Sequence, residues 1–89
     1  MKSLKKKNVL VTGSSRGIGL EIGKKFLQND CNVIFTGRNN KKLTHKNSYF
    51  FKCDLTDYTH IENLFEFTNK IFNKKLDILI CNLGGGKYK

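Results

Sequence analysis

The stretch Thr12–Gly19, which reads TGSSRGIG, constrains the fold of this chain more than any other. A short apolar and β-branched run, Asn8–Val11, precedes it and predicts a buried strand. Ile18, Ile22 and Phe26 then recur every four residues, which predicts a helix with one apolar face. A strand, a glycine-rich turn and a helix start in this order predict a binding site for an anion.

The physical basis of such a site is the free N-terminus of the helix. Its first backbone amides have no partner inside the helix and carry partial positive charge. Glycines remove the side chains that would hold a phosphate away from those amides. The spacing here, GxxxGxG, differs from the GxGxxG of many dinucleotide-binding folds and from the GxxxxGK[ST] of P-loops. The alternative is a glycine-rich turn that binds nothing, and the flanking strand and helix argue against it.

The motif Thr-Gly-x-x-x-Gly-Ile-Gly after a first strand resembles the cofactor motif of the short-chain dehydrogenases/reductases. In that family the motif cradles the pyrophosphate of NAD or NADP. The resemblance implies that Gly13 makes the tight turn, and that Gly17 and Gly19 let the backbone and the cofactor approach. The residues that it implies line the phosphate and the ribose are Ser14, Ser15 and Ile18.

Two arginines indicate which dinucleotide is preferred. NAD-binding folds usually place a carboxylate on the ribose 2′-hydroxyl about 20 residues past the glycine motif, at the end of the second strand. Here Gly37 stands at that point and Arg38 follows it. A guanidinium binds the 2′-phosphate that a carboxylate would repel. In the family that the chain resembles, a basic residue before the second motif glycine has the same meaning, and Arg16 occupies that place. The prediction is NADP rather than NAD; the alternative is two solvated surface arginines.

Helices alternate with strands along the rest of the chain, which predicts an α/β fold. The predicted strands are Asn8–Val11, Asn32–Thr36, Tyr49–Cys53 and Leu76–Ile80, and the predicted helices run from about Gly17 to Asn29 or Asp30, from Asn40 to Leu43 and from Tyr58 to Phe72. The expected sheet is parallel in the order 3-2-1-4, an incomplete doubly wound, Rossmann-type fold in one domain over residues 1–89. Gly23 in the middle of the first helix predicts close packing of that helix on the sheet.

The second long helix has an apolar stripe, and the fourth strand is apolar enough to be covered on both faces. The residues of that stripe are Ile61, Leu64, Phe65, Thr68, Ile71 and Phe72.

Two further segments resemble family motifs. Asp54-Leu55-Thr56-Asp57 resembles the family's Asp-x-Thr-Asp, which implies that Asp54 contacts the adenine amino group. The alternative for this segment is capping of the next helix, and it is the preferred interpretation for Thr56 and Asp57.

The segment after the fourth strand resembles the family's Asn-Asn-Ala-Gly. Asn82 and Gly84 match it, which implies that they adjoin the cofactor, whereas Cys81 and Leu83 depart from it.

Composition excludes several other classes. The net charge is +10, from 17 Lys and Arg against 7 Asp and Glu, but the lysines are scattered, which disfavours a nucleic-acid partner. No apolar run approaches the ~20 residues that span a bilayer, and the basic N-terminus lacks the pattern of a signal peptide, so a cytoplasmic protein is expected. The three cysteines form no CxxC and lack ligand spacing with the histidines, so no metal site is predicted.

The chemistry of the family depends on residues that this chain lacks. Its acid/base is the Tyr of a Tyr-x-x-x-Lys pair, helped by a Ser, and all of them follow the fourth strand; Tyr88-Lys89 has the wrong spacing. No catalytic residue is therefore predicted, and whether the chain is an enzyme stays open.

The first hypothesis is the N-terminal NADP-binding part of an oxidoreductase whose catalytic half is absent. The alternatives are a stand-alone, non-catalytic nucleotide-binding or regulatory module and a basic RNA-binding protein that uses this fold. The open edge of the fourth strand also predicts a chain that, expressed alone, is aggregation-prone, self-associated through this edge or only partly folded.

Overall fold

The described residues form a four-stranded parallel sheet with a helix on each face. The computed structural model describes residues 6–82. Its elements are β1 (Asn8–Val11), α1 (Gly17–Gln28), β2 (Asn32–Gly37), β3 (Ser48–Lys52), α2 (Tyr58–Phe72) and β4 (Ile78–Ile80). The strand order is β3-β2-β1-β4 and every pairing is parallel, which confirms the predicted Rossmann-type α/β topology.

The centre of the sheet is formed by β1 and β2. They pair from Asn8↔Asn32 to Val11↔Phe35, and their inner residues are fully buried. Because all strands are parallel, their carboxyl ends meet at one edge of the sheet. That edge therefore collects the glycine-rich loop after β1, the turn after β2, the start of α2 and the residues that follow β4.

The helix α1 covers one face of the sheet and lies close to it. Its core there contains Val9, Val11, Val33 and Phe35, with Leu27 of the helix and Cys31 packed among them. A Cβ atom on Gly23 would overlap the Phe35 ring, with 2.6 Å to its Cζ atom. The predicted close packing of Gly23 on the sheet is confirmed, because only a residue without a side chain fits there.

The helix α2 covers the opposite face. The core on this side contains Leu10, Ile34, Cys53, Leu64 and Phe72. Aromatic contacts extend it toward the β3 edge: the rings of Tyr49 and Phe72 meet edge to face at 6.5 Å, and those of Phe51 and Phe67 lie 4.8 Å apart.

Some predicted boundaries were wrong. No helix forms at Asn40–Leu43, since residues 38–47 contain no helical segment. One helical turn is costly to nucleate, and this segment offers only Leu43 to the core. Strand β3 lies one residue earlier than predicted, and β2 extends to Gly37.

The fourth strand is shorter than predicted. Leu76 packs into the core on the α2 side, and Asp77 lies directly before β4, which begins at Ile78. The Asn8 amide donates to Asp77 Oδ2 at 2.8 Å, and the Asp77 amide donates to the Asn8 carbonyl at 2.9 Å. Within residues 6–82 β4 is not covered on both faces, because Leu79 is 47% exposed. Phe65, predicted to lie on the apolar stripe of α2, is 50% exposed beside the buried Leu64 and Thr68.

Within residues 6–82 there is no helix with the length and hydropathy needed to cross a membrane.

Candidate functional site

The glycine-rich loop after β1 is attached to β2 through Thr36. The Gly13 amide donates to Thr36 Oγ1 at 3.0 Å, and the Ser14 amide donates to the Thr36 carbonyl at 2.8 Å. In return the Thr36 amide donates to Ser14 Oγ at 2.9 Å, and that hydroxyl donates to the Val11 carbonyl at 2.6 Å. Ser14 is fully buried. Its side chain therefore supports the loop from inside and does not face the loop's outer surface.

The other side of the loop is attached to the segment after β4. The Asn82 amide donates to Thr12 Oγ1 at 3.1 Å, and Asn82 Nδ2 donates to the Gly13 carbonyl at 2.9 Å. A Cβ atom on Gly19 would lie 2.7 Å from Asn82 Nδ2 and would overlap the Gly13 carbonyl. Gly19 is thus required by the packing of the loop itself, and Asn82, predicted to adjoin the cofactor, fixes the loop in place.

The outer surface of the loop is open above Gly17. Gly13 and Gly17 both have positive φ, 57° and 65°, which favours glycine at these turn positions. Nothing lies within 4 Å of where a Gly17 Cβ would be. Ile18, predicted to line the site, is 72% exposed beside it. A side chain at position 17 would fill this space, so the glycine leaves a cradle in front of the backbone.

The first turn of α1 has no side chain that would bond to its free backbone amides or repel an anion. Its N-cap is Arg16, in extended conformation, and no side chain caps the helix. The first turn holds no acidic residue. Free amides, the helix dipole and the Arg16 guanidinium thus give this end positive potential. These residues fit the pyrophosphate of a dinucleotide, because the cradle above Gly17 gives a phosphate access to the amides.

The turn after β2 lies on the adjoining part of the same edge. Arg38 is exposed there. Hydrogen bonds from Thr56, with smaller contributions from the charges of Arg38 and His60, hold the pKa of Asp54 below its usual value. Arg38 and Asp54 directly follow Gly37 and Cys53, and the Cys53 amide donates to the Gly37 carbonyl at 2.8 Å. The two residues predicted for the adenosine end of the cofactor therefore follow neighbouring strand ends.

Asp54 begins a tightly bonded turn before α2. Asp54 Oδ1 accepts from the Thr56 hydroxyl at 2.7 Å and from the Thr56 amide at 2.9 Å. The Asp54 amide donates to His60 Nδ1 at 2.9 Å. Asp57 is the N-cap, accepting from the amides of Thr59 at 2.9 Å and His60 at 3.4 Å. Capping is confirmed for Asp57 and wrong for Thr56, whose hydroxyl is turned back to Asp54.

Two residues of this edge were missed from the sequence. Thr36 forms three hydrogen bonds with the glycine-rich loop. From the sequence it is one β-branched strand residue among several, and no pattern indicates that it bonds to another segment. His60 supports the Asp54 backbone, and its place in the first turn of α2 was the only available signal. The predicted site residue Gly84 lies outside the described residues.

The described residues contain neither a metal-binding cluster nor a reactive buried thiol. Residues 6–82 contain no group of three His, Cys, Asp or Glu side chains able to hold a metal ion. Burial raises the pKa of the Cys31 and Cys53 thiols, which keeps both protonated and poorly nucleophilic at neutral pH.

The chain matches the family model of the short chain dehydrogenases over residues 7–89. It is 36% identical to an uncharacterized oxidoreductase, DltE, of Bacillus subtilis, across 85% of this chain and 32% of that protein. It is 39% identical to the 3-oxoacyl-[acyl-carrier-protein] reductase FabG of Rickettsia typhi, across 88% of this chain and 33% of that protein. This chain belongs to the short-chain dehydrogenase family of oxidoreductases.

Solved structures agree with this assignment. The ligand-free aldohexose dehydrogenase of Thermoplasma acidophilum superposes with a TM-score of 0.84 at 25% identity, covering 98% of this chain and 33% of that one. A short chain dehydrogenase from Leptospira borgpetersenii, solved with bound NAD+, gives a TM-score of 0.78 at 26% identity, over 96% and 34% of the two chains. The chain spans about a third of the length of the relatives it matches. Members of this family bind a nicotinamide dinucleotide.

Proposed function

We propose that this chain is the N-terminal, NADP-binding part of a short-chain dehydrogenase. The observation that carries the proposal is the first turn of α1, which has no capping side chain, no acidic residue and an open space above Gly17. A helix N-terminus with these properties suits a pyrophosphate. The matched family model supports a nicotinamide dinucleotide as the source of that pyrophosphate.

The roles follow from position along the edge. The amides at Gly17 and Ile18 would hold the pyrophosphate, and Arg16 and Arg38 would hold the 2′-phosphate of the adenosine ribose. Asp54, whose pKa is lowered mainly by its hydrogen bonds from Thr56, stays ionised and would accept from the adenine amino group. A bound nicotinamide dinucleotide would supply hydride chemistry toward a carbonyl or alcohol in the whole oxidoreductase. The contribution of these residues is to hold and orient the dinucleotide.

The test is a pair of calorimetric titrations of the chain with NADP and with NAD. Charge-assisted contacts of ~1.5–3 kcal/mol each predict at least a tenfold preference for NADP. Replacing Arg38 by Ala should remove most of that preference. The matched control is Lys70→Ala, which removes a positive charge from the last turn of α2, at the opposite edge of the sheet. Equal affinity for the two dinucleotides, or a preference for NAD, would contradict the assignment.

We also propose that the chain alone carries out no reduction, because residues 1–89 contain no Tyr-x-x-x-Lys pair to supply a proton. NADPH oxidation with a panel of aldehydes and ketones, followed by absorbance, measures this. Turnover that copurifies with the chain and disappears in Arg16→Asp would overturn it.

A further part of the proposal is self-association through β4. In the described chain β4 pairs on one side only, with β1, and Leu79 is 47% exposed. A strand with a free row of amides and an apolar side chain invites pairing with a second copy. Ile78 and Ile80 pack against the core on the α1 side, so Leu79 is the appropriate position for a disrupting Lys.

Size-exclusion chromatography with amide hydrogen exchange tests this. We expect oligomers for the natural chain and a monomer for Leu79→Lys. The charge control is Asn69→Lys, which adds the same positive charge at an exposed position of α2 and should leave the oligomers intact. A monodisperse natural chain with strong protection over residues 78–80 would contradict self-association. That result would favour the stand-alone binding module.

A further inference from the structure

The contact between Ser15 and Gly37 joins the glycine-rich loop to the end of β2. A Cβ atom built on Gly37 would lie 2.6 Å from Ser15 Cβ and 2.6 Å from Ser15 Oγ. Distances below about 3 Å between such atoms require something to move. The hydroxyl can rotate away, but the Ser15 Cβ is fixed to the backbone. Position 37 therefore accepts a side chain only if the loop or the strand shifts.

Neither side of this contact is free to shift. Ser14, the neighbour of Ser15, is bonded to Thr36 in both directions, at 2.8 and 2.9 Å. On the strand side, the Gly37 carbonyl accepts from the Cys53 amide at 2.8 Å. The ring of Phe50 lies 3.4 Å from the same Cβ position. The contact is thus held between the core of the sheet and a loop that is itself fixed.

We propose that Ser15 is a cofactor-specificity determinant, because a side chain at position 37 would collide with its Cβ unless the loop or the strand shifts. This inference rests on the proposed binding of NADP. Position 37 is where dinucleotide-binding folds carry the carboxylate that holds the ribose 2′-hydroxyl of NAD. Ser15 disfavours a side chain at that place, so the preference for a 2′-phosphate depends on Ser15 as well as on the arginines. A change toward NAD is then most effective with two substitutions, one at each side of the contact.

The first experiment tests the contact without any cofactor, by thermal unfolding of the 89-residue chain followed by circular dichroism. Gly37→Ala should lower the melting temperature by about 5 °C or more, since it overpacks a fixed contact. Combining it with Ser15→Gly should restore most of the loss, measured against Ser15→Gly alone. Combining it with Ser15→Ala should not, because the Ser15 Cβ remains. A Gly37→Ala chain as stable as the natural one, or equal rescue by Ala and Gly, would overturn the inference.

The second experiment measures the affinity for NAD and NADP by calorimetry in Gly37→Asp, in the Ser15→Gly/Gly37→Asp pair, and in the natural chain. The paired variant should bind NAD at least about tenfold more tightly than Gly37→Asp alone. Asn39→Asp, an added charge in the exposed turn, should give no such gain. Equal NAD affinity of the single and paired variants would refute the role of Ser15. If the natural chain binds neither dinucleotide, the proposed function fails, and with it the role in specificity; the melting data still decide the contact.

Discussion

The two helices within residues 6–82 begin at the same edge of the sheet, yet their N-termini are built differently. The first turn of α2 is satisfied by its own chain, since the Asp57 carboxylate accepts from the amides of Thr59 and His60. The first turn of α1 begins at Arg16, without a capping side chain or an acidic residue. An uncapped helix start is less stable than a capped one by about 1 kcal/mol. One helix end is thus capped by its own side chain, whereas the first amides of the other have no side-chain partner.

The largest expected effect comes from giving α1 the kind of cap that α2 has. In Arg16→Asp a carboxylate would occupy the N-cap of α1 and remove a positive charge. We expect affinity for NADP to fall about 100-fold, through lost attraction and added repulsion. The free chain should at the same time gain about 1 kcal/mol in stability. Calorimetry and urea unfolding measure the two changes.

Arg16→Asn is the matched variant, because it caps without a negative charge. It should gain similar stability and lose less affinity than Arg16→Asp. A stabilised Arg16→Asp chain that binds NADP as well as the natural chain would show that the α1 terminus is not the anion site.

The next effect contrasts two buried threonines, Thr36, which supports the glycine-rich loop before α1, and Thr68, which lies inside α2. In Thr36→Val the Gly13 amide loses its acceptor, and an unsatisfied donor costs ~1–3 kcal/mol. In Thr68→Val only a hydroxyl bond to the Leu64 carbonyl inside α2 is lost, which should cost under ~1 kcal/mol. Urea unfolding of the two variants compares them. Equal losses of stability would mean that the loop does not depend on the Thr36 hydroxyl.

A smaller effect is expected at the cap of α2. Asp57→Ala removes the acceptor of the Thr59 and His60 amides and should cost about 1 kcal/mol. Asp57→Asn keeps an acceptor oxygen and should lose much less. Both variants should retain NADP affinity within about twofold, because α2 is capped for stability alone. A large loss of affinity in Asp57→Ala would show that the two helix ends are not separate in function.

The smallest effect is a pH dependence at Asp54. Its pKa in the folded chain is lowered, first by the bonds from Thr56 and then by Arg38 and His60. Its stabilising contribution is therefore present above the unfolded pKa of about 3.9 and is lost as the pH falls through the folded value. Urea midpoints between about pH 5 and pH 2 should fall less steeply for Asp54→Asn than for the natural chain. Parallel slopes for the two would contradict the assigned shift.

Hydrophobic periodicity and the turn residues between the periodic segments were sufficient to predict the order of strands and helices. The bounds of β1 and α2 were predicted to the residue, and the order of the parallel strands followed from alternation of strand and helix. The helix at Asn40–Leu43 was wrong because polar residues with one apolar contact do not support a turn of helix. The extent of β4 was wrong because Asp77 binds across to Asn8, a partner that sequence distance conceals.

The glycines of the candidate site could be predicted from the sequence, but the residues that hold the glycine-rich loop in place could not. Gly17 has the open surroundings expected of a residue beside a phosphate, whereas Gly19 is required by Asn82 and by the Gly13 carbonyl. Motif spacing does not distinguish these two reasons for a glycine, since both require the absence of a side chain. The hydrogen bonds between Thr36 and the loop form only once β1 and β2 are paired, so no local sequence pattern predicts them.

The reciprocal bonds between Ser14 and Thr36 also set how fast backbone hydrogens exchange with solvent. Both amides are bonded within the core, at 2.8 and 2.9 Å, so they should exchange only when the sheet opens as a whole. The amides of Gly17 and Ile18, a few residues away, belong to an uncapped first turn and should exchange rapidly. A bound dinucleotide would slow the second pair and leave the first almost unchanged. Exchange rates at these two pairs of amides thus distinguish unfolding of the site from binding of a dinucleotide to it.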